Sequence, residues 1–172
     1  ALDLAKLESL ITGRTKLVSL TYPHNPTGVM IGEEKLKAIV AMVERKGAHL
    51  LMDETYREMS FAPKLPVAAN LSDRVISVSS MSKAYGLPGI RIGWILTRNK
   101  KLMEAFLAAK EQICITNSVV DEEIAFRYLQ RKLEHFTPIK HAIQRNFAIL
   151  KQFMEKQDML EWVEPQGGCV CF

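Results

Sequence analysis

The stretch SSMSKAYGLPGIRIGW at residues 79–94 decides the fold of this chain. The residues before it, 75–78, are rich in β-branched side chains, so we expect a strand that ends in small hydroxyl residues and opens into a loop. The loop carries a single lysine, Lys83, and Arg91 follows eight residues later in a segment that is otherwise apolar. In α/β proteins, ligands bind beyond the carboxyl ends of the strands. The stretch therefore predicts a ligand site beside Lys83.

Lys83 is the candidate for covalent chemistry. A lysine is ordinarily a solvated surface charge, but here hydroxyl residues precede it and glycines follow it. Desolvation in such a loop favours loss of the proton, and the free amine can then attack a carbonyl and form an imine. Ser80, Ser82 and Arg91 suit a phosphate group, because a guanidinium offers a planar fork of donors and hydroxyls are neutral donors. An imine-forming lysine beside a phosphate grip indicates pyridoxal phosphate (PLP).

Residues 80–94 resemble the cofactor-lysine signature of the class I/II aminotransferases, the aspartate aminotransferase superfamily of fold type I. Two further motifs of that family occur upstream in the same order, NPTG at residues 25–28 and DETY at residues 53–56. Three motifs in order are much more specific than any one of them. The resemblance implies a PLP-dependent aminotransferase, which transfers an amino group between an amino acid and a 2-oxo acid through a Schiff base at Lys83.

The resemblance also implies how the cofactor is held. Asp53 would pair with the pyridine nitrogen and keep it protonated, so that the ring withdraws electrons. Tyr56 and Asn25 would donate to the phenolic oxygen, and Lys83 would move a proton between the substrate and cofactor carbons. Taken singly, Asn25 is an ordinary turn residue, Asp53 a loop carboxylate and Tyr56 a packing side chain. The joint occurrence of the motifs favours the functional interpretation.

The strand pattern predicts an α/β fold. Strands are expected over residues 17–22, 49–52, 74–79 and 90–97. A helix from Gly32 to about Arg45 joins the first two, and such a crossover makes them parallel. The loop before the fourth strand is too short for a helix, so that strand is expected to be antiparallel. We predict a mainly parallel sheet flanked by helices, part of the fold-type I large domain, with its last core strand antiparallel.

The remaining segments are predicted to be mostly helical. Residues 1–14 have the pattern of the end of a helix, and Asn99 and Ser118 have the pattern of caps for helices to about residues 114 and 131. Thr137 and Pro138 predict the start of a helix to about residue 157. A turn at residues 165–168 and a strand at residues 169–172 follow.

The resemblance implies two domains. It assigns residues 1–137 to the central part of the PLP-binding large domain. Residues 138–172 become the interdomain helix and the truncated start of a small α+β domain. The family's upstream phosphate-cupping turn and ring-stacking aromatic residue are absent, as is its downstream carboxylate-binding arginine, so we expect a fragment of a longer enzyme.

Composition restricts the partners. The chain has 172 residues, of which 48% are hydrophobic and 24% charged, and no apolar run approaches the roughly 20 residues that cross a membrane. Its charge of +4 comes from 23 basic and 19 acidic residues without a dense basic stripe, which disfavours nucleic acid. We expect a cytoplasmic location, because no secretory pattern opens the sequence. Three cysteines form no disulfide framework, and Cys169 with Cys171 lacks the further ligands of a zinc site, so no metal is expected.

Two alternatives remain open at this point. The same scaffold supports a C–S β-lyase or another fold-type I PLP enzyme, which the motifs disfavour without excluding. The alternative from a different functional class is that the chain is a non-catalytic scaffold or interaction domain. The family resemblance further implies a homodimer, and the sequence does not identify the amino acid substrate.

Overall fold

The computed structural model describes residues 2–172; Ala1, which the sequence prediction placed in the first helix, lies outside them. Within that range the chain forms five α-helices and one four-stranded sheet. The strands are β1 (Leu17–Thr21), β2 (His49–Asp53), β3 (Val75–Ser80) and β4 (Gly93–Thr97). The helices are α1 (Leu4–Leu10), α2 (Glu33–Arg45), α3 (Lys100–Ile113), α4 (Val119–Gln130) and α5 (Lys132–Met154). Two short 3-10 helices, Arg57–Met59 and Ala68–Asn70, lie between β2 and β3.

The sheet has the strand order β1-β2-β3-β4. The first three strands are parallel, with Asp53 of β2 opposite Thr21 of β1 and Val78 of β3. β4 runs antiparallel to β3, with Ser79 opposite Trp94. These directions confirm the predicted α/β fold. The antiparallel last strand follows from the short connection after β3, which leaves no room for a crossover helix.

The main core lies between α2 and the sheet. Apolar residues at helical spacing give α2 one buried face, on which Ile39 and Val43 are fully buried. They share one cluster with Leu50, Met52 and Val75 of the sheet. This core holds β1, β2 and β3 in place and so fixes the positions of their carboxyl ends.

Side-chain caps define three helix starts. Asp3 accepts a hydrogen bond from the backbone N–H of Lys6, so α1 is a short helix with its own beginning and not the end of a longer one. The caps predicted at Asn99 and Ser118 are confirmed, because each side chain accepts a bond from a backbone N–H three residues later. Local capping chemistry therefore sets where α3 and α4 begin.

The predicted start of α5 is wrong. The helix begins at Lys132, and Pro138 lies inside it. Thr137 does not cap the helix, because its hydroxyl donates to the carbonyl of Leu133 at 2.5 Å. Phe136, which is 6% exposed, packs in a second apolar cluster and holds this first part of α5 against the fold. α5 therefore runs unbroken across residues 137 and 138, which is where we predicted the boundary between the two domains. The boundary itself stays a prediction.

Two strand predictions also need correction. β4 begins at Gly93 and not at residue 90, because Arg91 has a left-handed backbone with φ 54° that ends the turn before the strand. Residues 169–172 form no strand within the described range. A strand needs a ladder of backbone hydrogen bonds to a partner, whereas here the Phe172 carbonyl accepts a single bond from the Val163 N–H at 2.9 Å and the nearby bridge between Ser60 and Gly167 is isolated among residues 2–172. No helix in this range is both long and apolar enough to span a bilayer.

Replacing Leu50 by alanine should lower the free energy of unfolding by about 2–5 kcal/mol, because its fully buried side chain would leave a cavity. Leu107 on α3 is the matched control, since it is 56% exposed and its replacement by alanine should change stability by less than about 0.5 kcal/mol. Denaturant midpoints of both variants measure the difference. Equal losses would contradict the assignment of the core.

Candidate functional site

The central strand of the parallel set ends in an acidic residue. Asp53 is the last residue of β2, which lies between β1 and β3. Its carboxylate is half-buried and accepts a hydrogen bond from the backbone N–H of Thr55 at 3.0 Å. The strand pairing and this bond fix a negative charge at the middle of the carboxyl edge of the sheet.

The loop after β3 presents Lys83 to solvent. Its backbone closes through bonds from the N–H of Leu87 to the carbonyl of Met81 at 3.0 Å and from the N–H of Gly86 to the carbonyl of Lys83 at 3.1 Å. Met81 and Ala84 on either side of the lysine are fully buried. The Lys83 side chain is exposed, so the expected desolvation of its amine by burial is not met within residues 2–172. The buried neighbours hold the loop while the amine stays accessible.

The three residues predicted to bind phosphate lie together. The Arg91 guanidinium donates through Nη1 to the Ser82 hydroxyl at 3.3 Å and to the Pro88 carbonyl at 2.7 Å. The Ser82 N–H in turn donates to the Ser80 hydroxyl at 3.3 Å. Arg91 is exposed, and its contacts leave other guanidinium N–H groups free for a ligand. A cation and two hydroxyls therefore lie together beside the Lys83 loop, where they could hold an anion.

Tyr56 is a buried tyrosine near Asp53. It is 7% exposed. Burial raises the pKa of its hydroxyl above the ordinary value, and electrostatic repulsion from the neighbouring Cys169 and Asp53 adds to this effect. The phenol therefore stays protonated at neutral pH and is able to donate a hydrogen bond.

Asn25 lies in the turn that follows β1. The turn is closed by the Gly28 N–H, which donates to the His24 carbonyl at 2.7 Å, and by the His24 N–H, which donates to the Val29 carbonyl at 2.9 Å. Asn25 itself is exposed and lies four residues beyond Thr21, the partner of Asp53. The structure thus places it past the same edge of the sheet as the other predicted site residues.

The whole chain, residues 1–172, matches the family described as aminotransferase class I and II. The chain belongs to this family. It is 28% identical to the aspartate aminotransferase of Thermotoga maritima over 99% of this chain and 45% of that protein. It is 27% identical to the capreomycidine synthase of Streptomyces vinaceus over 99% of this chain and 44% of that protein.

The fold matches solved members of the same family. A PLP-dependent aminotransferase from Streptococcus suis superimposes with a TM-score of 0.89 at 32% identity, covering 96% of this chain and 44% of that chain. The aminotransferase family and the α/β fold expected from the sequence are therefore confirmed. The chain spans less than half the length of each of these three relatives.

Gln166 joins two loops of the candidate site and was missed as a site residue by the sequence prediction. Its N–H donates to the Gly28 carbonyl and its side-chain Oε1 accepts from the Met30 N–H, both at 2.9 Å. Its carbonyl accepts from the Phe61 N–H at 3.1 Å. Gly28 has φ +66°, and a Cβ there would lie 2.3 Å from the Cβ of Pro165. The loop of Asn25 and the segment after Tyr56 are therefore tied through one residue of the C-terminal segment.

The sequence prediction also missed two buried carboxylates, those of Glu54 and Glu58. Glu54 accepts from the Ala68 N–H at 2.7 Å and the Ser77 hydroxyl at 3.2 Å. Burial raises the pKa of Glu54, and these bonds oppose that effect only in part. No local pattern in the sequence marks this residue as buried, because its partners lie 14 and 23 residues away.

At Glu58, in contrast to Glu54, hydrogen bonds and ion pairs outweigh the effect of burial on the pKa. It is 7% exposed and pairs with Lys64 at 2.7 Å, Lys132 at 3.0 Å and Arg57 at 3.1 Å. Burial alone would raise the pKa of Glu58, but the hydrogen bonds from Lys64 and Lys132 outweigh it and hold the pKa below its ordinary value. Glu58 is therefore a permanent anion at neutral pH.

Replacing Glu58 by glutamine should lower the free energy of unfolding by about 1–3 kcal/mol at neutral pH. Because Lys64 and Lys132 are partly exposed, this loss of stability should be smaller than the loss on breaking a fully buried ion pair. Because the folded pKa is lowered, this stabilisation is complete above the unfolded pKa and is lost as the pH falls through the folded pKa. Denaturant titrations of wild type and E58Q between about pH 7 and about pH 3 should therefore converge at the acid end.

The matched control is Glu123→Gln, which removes an exposed carboxylate paired with Arg127 at 2.6 Å and should have little effect at any pH. A stability difference between wild type and E58Q that persists unchanged in acid would contradict the role of the Glu58 charge.

Proposed function

We propose that this chain carries the PLP-binding centre of an aminotransferase that acts on an amino acid and a 2-oxo acid. The observation that carries the proposal is the hydrogen-bonded cluster of Arg91, Ser82 and Ser80 beside the loop of an accessible lysine, Lys83. Membership of the aminotransferase family supports the same assignment. The donor set fits the cofactor, because PLP presents a phosphate, an aldehyde, a phenolic oxygen and a pyridine nitrogen that need different partners.

Each partner type has a residue at this edge of the sheet. The guanidinium of Arg91 and the hydroxyls of Ser80 and Ser82 would hold the phosphate. Asp53 would accept a hydrogen bond from the protonated pyridine nitrogen, and its fixed negative charge would keep that nitrogen protonated.

Three further side chains would complete the site. Tyr56 would donate to the phenolic oxygen, as its raised pKa allows, and Asn25 would be a second donor. When bound, PLP supplies an aldehyde to the lysine and a ring that withdraws electrons from the substrate α-carbon. The Lys83 amine would then be the group that takes a proton from that carbon and returns one to the cofactor.

A second enzyme function has some support. One relative is named capreomycidine synthase and not an aminotransferase, which favours keeping a second reaction as a candidate for this scaffold. Product analysis of the longer protein would separate the candidates: an aminotransferase gives a keto acid, and a C–S β-lyase gives pyruvate and a thiol. The cytoplasmic location and the homodimer expected from the sequence, and the truncated small domain after residue 138, stay predictions.

Reduction with borohydride in the presence of PLP should attach the cofactor to Lys83. Peptide mass spectrometry of the 172-residue chain should find the label concentrated there, because Lys83 directly follows Ser82 of the phosphate cluster and β3, which leads to it, pairs with the strand that ends in Asp53. Lys83→Ala should abolish the selective label. Lys101→Ala removes another exposed lysine and should leave it intact.

Equal labelling of many surface lysines in the wild-type chain would count against the proposed function of this chain. It would favour a non-catalytic scaffold or interaction domain, the alternative from a different class.

A further inference from the structure

One cation contacts both loops of the proposed site. Lys132 is the first residue of α5, and its Nζ lies 3.0 Å from Oε2 of Glu58. The same Nζ lies 5.5 Å from the centroid of the Tyr85 ring. Glu58 follows Tyr56 by two residues, and Tyr85 follows Lys83 by two residues. The ammonium of Lys132 therefore joins the loop of Tyr56 to the loop of Lys83.

These contacts are shielded from water, which makes them stronger than surface ion pairs. Glu58 is 7% exposed and Tyr85 is 6% exposed, while the Lys132 side chain keeps 31% of its surface exposed. A charge-assisted hydrogen bond and a cation–π contact both gain strength when water is removed around them. The Lys132 ammonium is thus held by two partners at once.

Tyr85 transmits this contact to the Lys83 loop because its ring is fixed on its other sides. Trp94 of β4 and Tyr128 of α4 each lie 6.0 Å away between ring centroids in edge-to-face arrangements, and Phe136 of α5 lies 6.4 Å away. Burial raises the pKa of Tyr85 to about 12, with the Glu58 charge adding to it, so the ring remains a neutral phenol. The Lys83 loop is therefore anchored through the buried ring of Tyr85, while the Lys83 side chain itself is exposed.

Loss of Lys132 would not leave Glu58 unpaired. Lys64 contacts the same carboxylate at 2.7 Å and Arg57 contacts it at 3.1 Å. A neutral side chain at position 132 removes the connection to Tyr85 and to α5 while the carboxylate keeps two cations. A neutral substitution of Lys132 therefore tests its positioning role without the destabilisation that an unpaired, buried Glu58 carboxylate would cause.

We propose that Lys132 is a positioning residue that holds the Lys83 loop in register with the Tyr56 loop through its simultaneous contacts with Tyr85 and Glu58. Its consequence for PLP rests on the proposed function of the site, but the coupling of the two loops does not. The ring of Phe136, 6.4 Å from that of Tyr85 between centroids, also makes the start of α5 part of the framework of the site.

Amide hydrogen exchange of the 172-residue chain tests the coupling without any cofactor. In Lys132→Met, exchange should become at least about fivefold faster at Gly86 and Leu87 of the Lys83 loop and at Met59 beyond Tyr56, since their bonds close these two loops. Lys132→Arg keeps the charge and should match wild type. Lys101→Met removes an exposed lysine and should also match wild type.

The Leu50 amide, which donates to the Arg74 carbonyl at 2.9 Å between β2 and β3, reports the stability of the sheet. Its exchange should be unchanged in Lys132→Met. Acceleration in only one loop, equal acceleration at Leu50, or an arginine variant that behaves like the methionine variant would each overturn the proposal.

Borohydride trapping adds a second readout on the same variants. Lys132→Met should lower the fraction of PLP label found at Lys83 by at least about fivefold relative to wild type, and Lys132→Arg should restore it. A label fraction that is unchanged in Lys132→Met would contradict the positioning of Lys83. A wild-type chain without selective label at Lys83 would count against the proposed function alone, and the exchange pattern would still decide the coupling.

Discussion

The parallel pairing of β2 between β1 and β3 is the constraint on which the proposed site depends. It places Asp53 opposite Thr21 and Val78, so the turn of Asn25 and the Lys83 loop leave the sheet at the same edge. A shift of one residue in this register would turn Asp53 to the opposite face of the sheet. The buried side chains of Leu50 and Met52 oppose such a shift, because it would expose them.

The connection from β2 to β3 shows how an irregular segment is held in place at such a site. A crossover between parallel strands is usually helical, and helices satisfy their own backbone. Here the connection contains only two short 3-10 helices within the described residues, and Glu54 satisfies the Ala68 N–H and the Ser77 hydroxyl instead. Glu58 adds ion pairs to Lys64 and Lys132. Buried carboxylates thus fix the segment that carries Tyr56.

Much of the fold was predictable because its signals are local. Apolar spacing and the acidic first turn defined α2, the short loop after β3 gave the direction of β4, and side chains at Asn99 and Ser118 set the starts of two helices. Lys83 was placed correctly past its strand, and Asp53, expected just after the strand over residues 49–52, is the last residue of β2.

The wrong and missing predictions involve contacts between distant residues. The start of α5 was misplaced because the burial of Phe136 and the pairing of Lys132 with Glu58 outweigh the local preference of Pro138 for a first turn. Gln166 bonds to Met30 across 136 residues, and no local pattern marks that bond. The exposure of the Lys83 side chain depends on which neighbours pack into the core, which only the folded chain defines.

A crystal structure of the chain grown with PLP would show whether these residues hold the cofactor. We predict the phosphate within hydrogen-bonding distance of Arg91, Ser80 and Ser82, the pyridine nitrogen facing Asp53, and continuous density between the cofactor and Lys83. Cofactor bound at another surface, or bound here with Asp53 turned away from the ring, would contradict it.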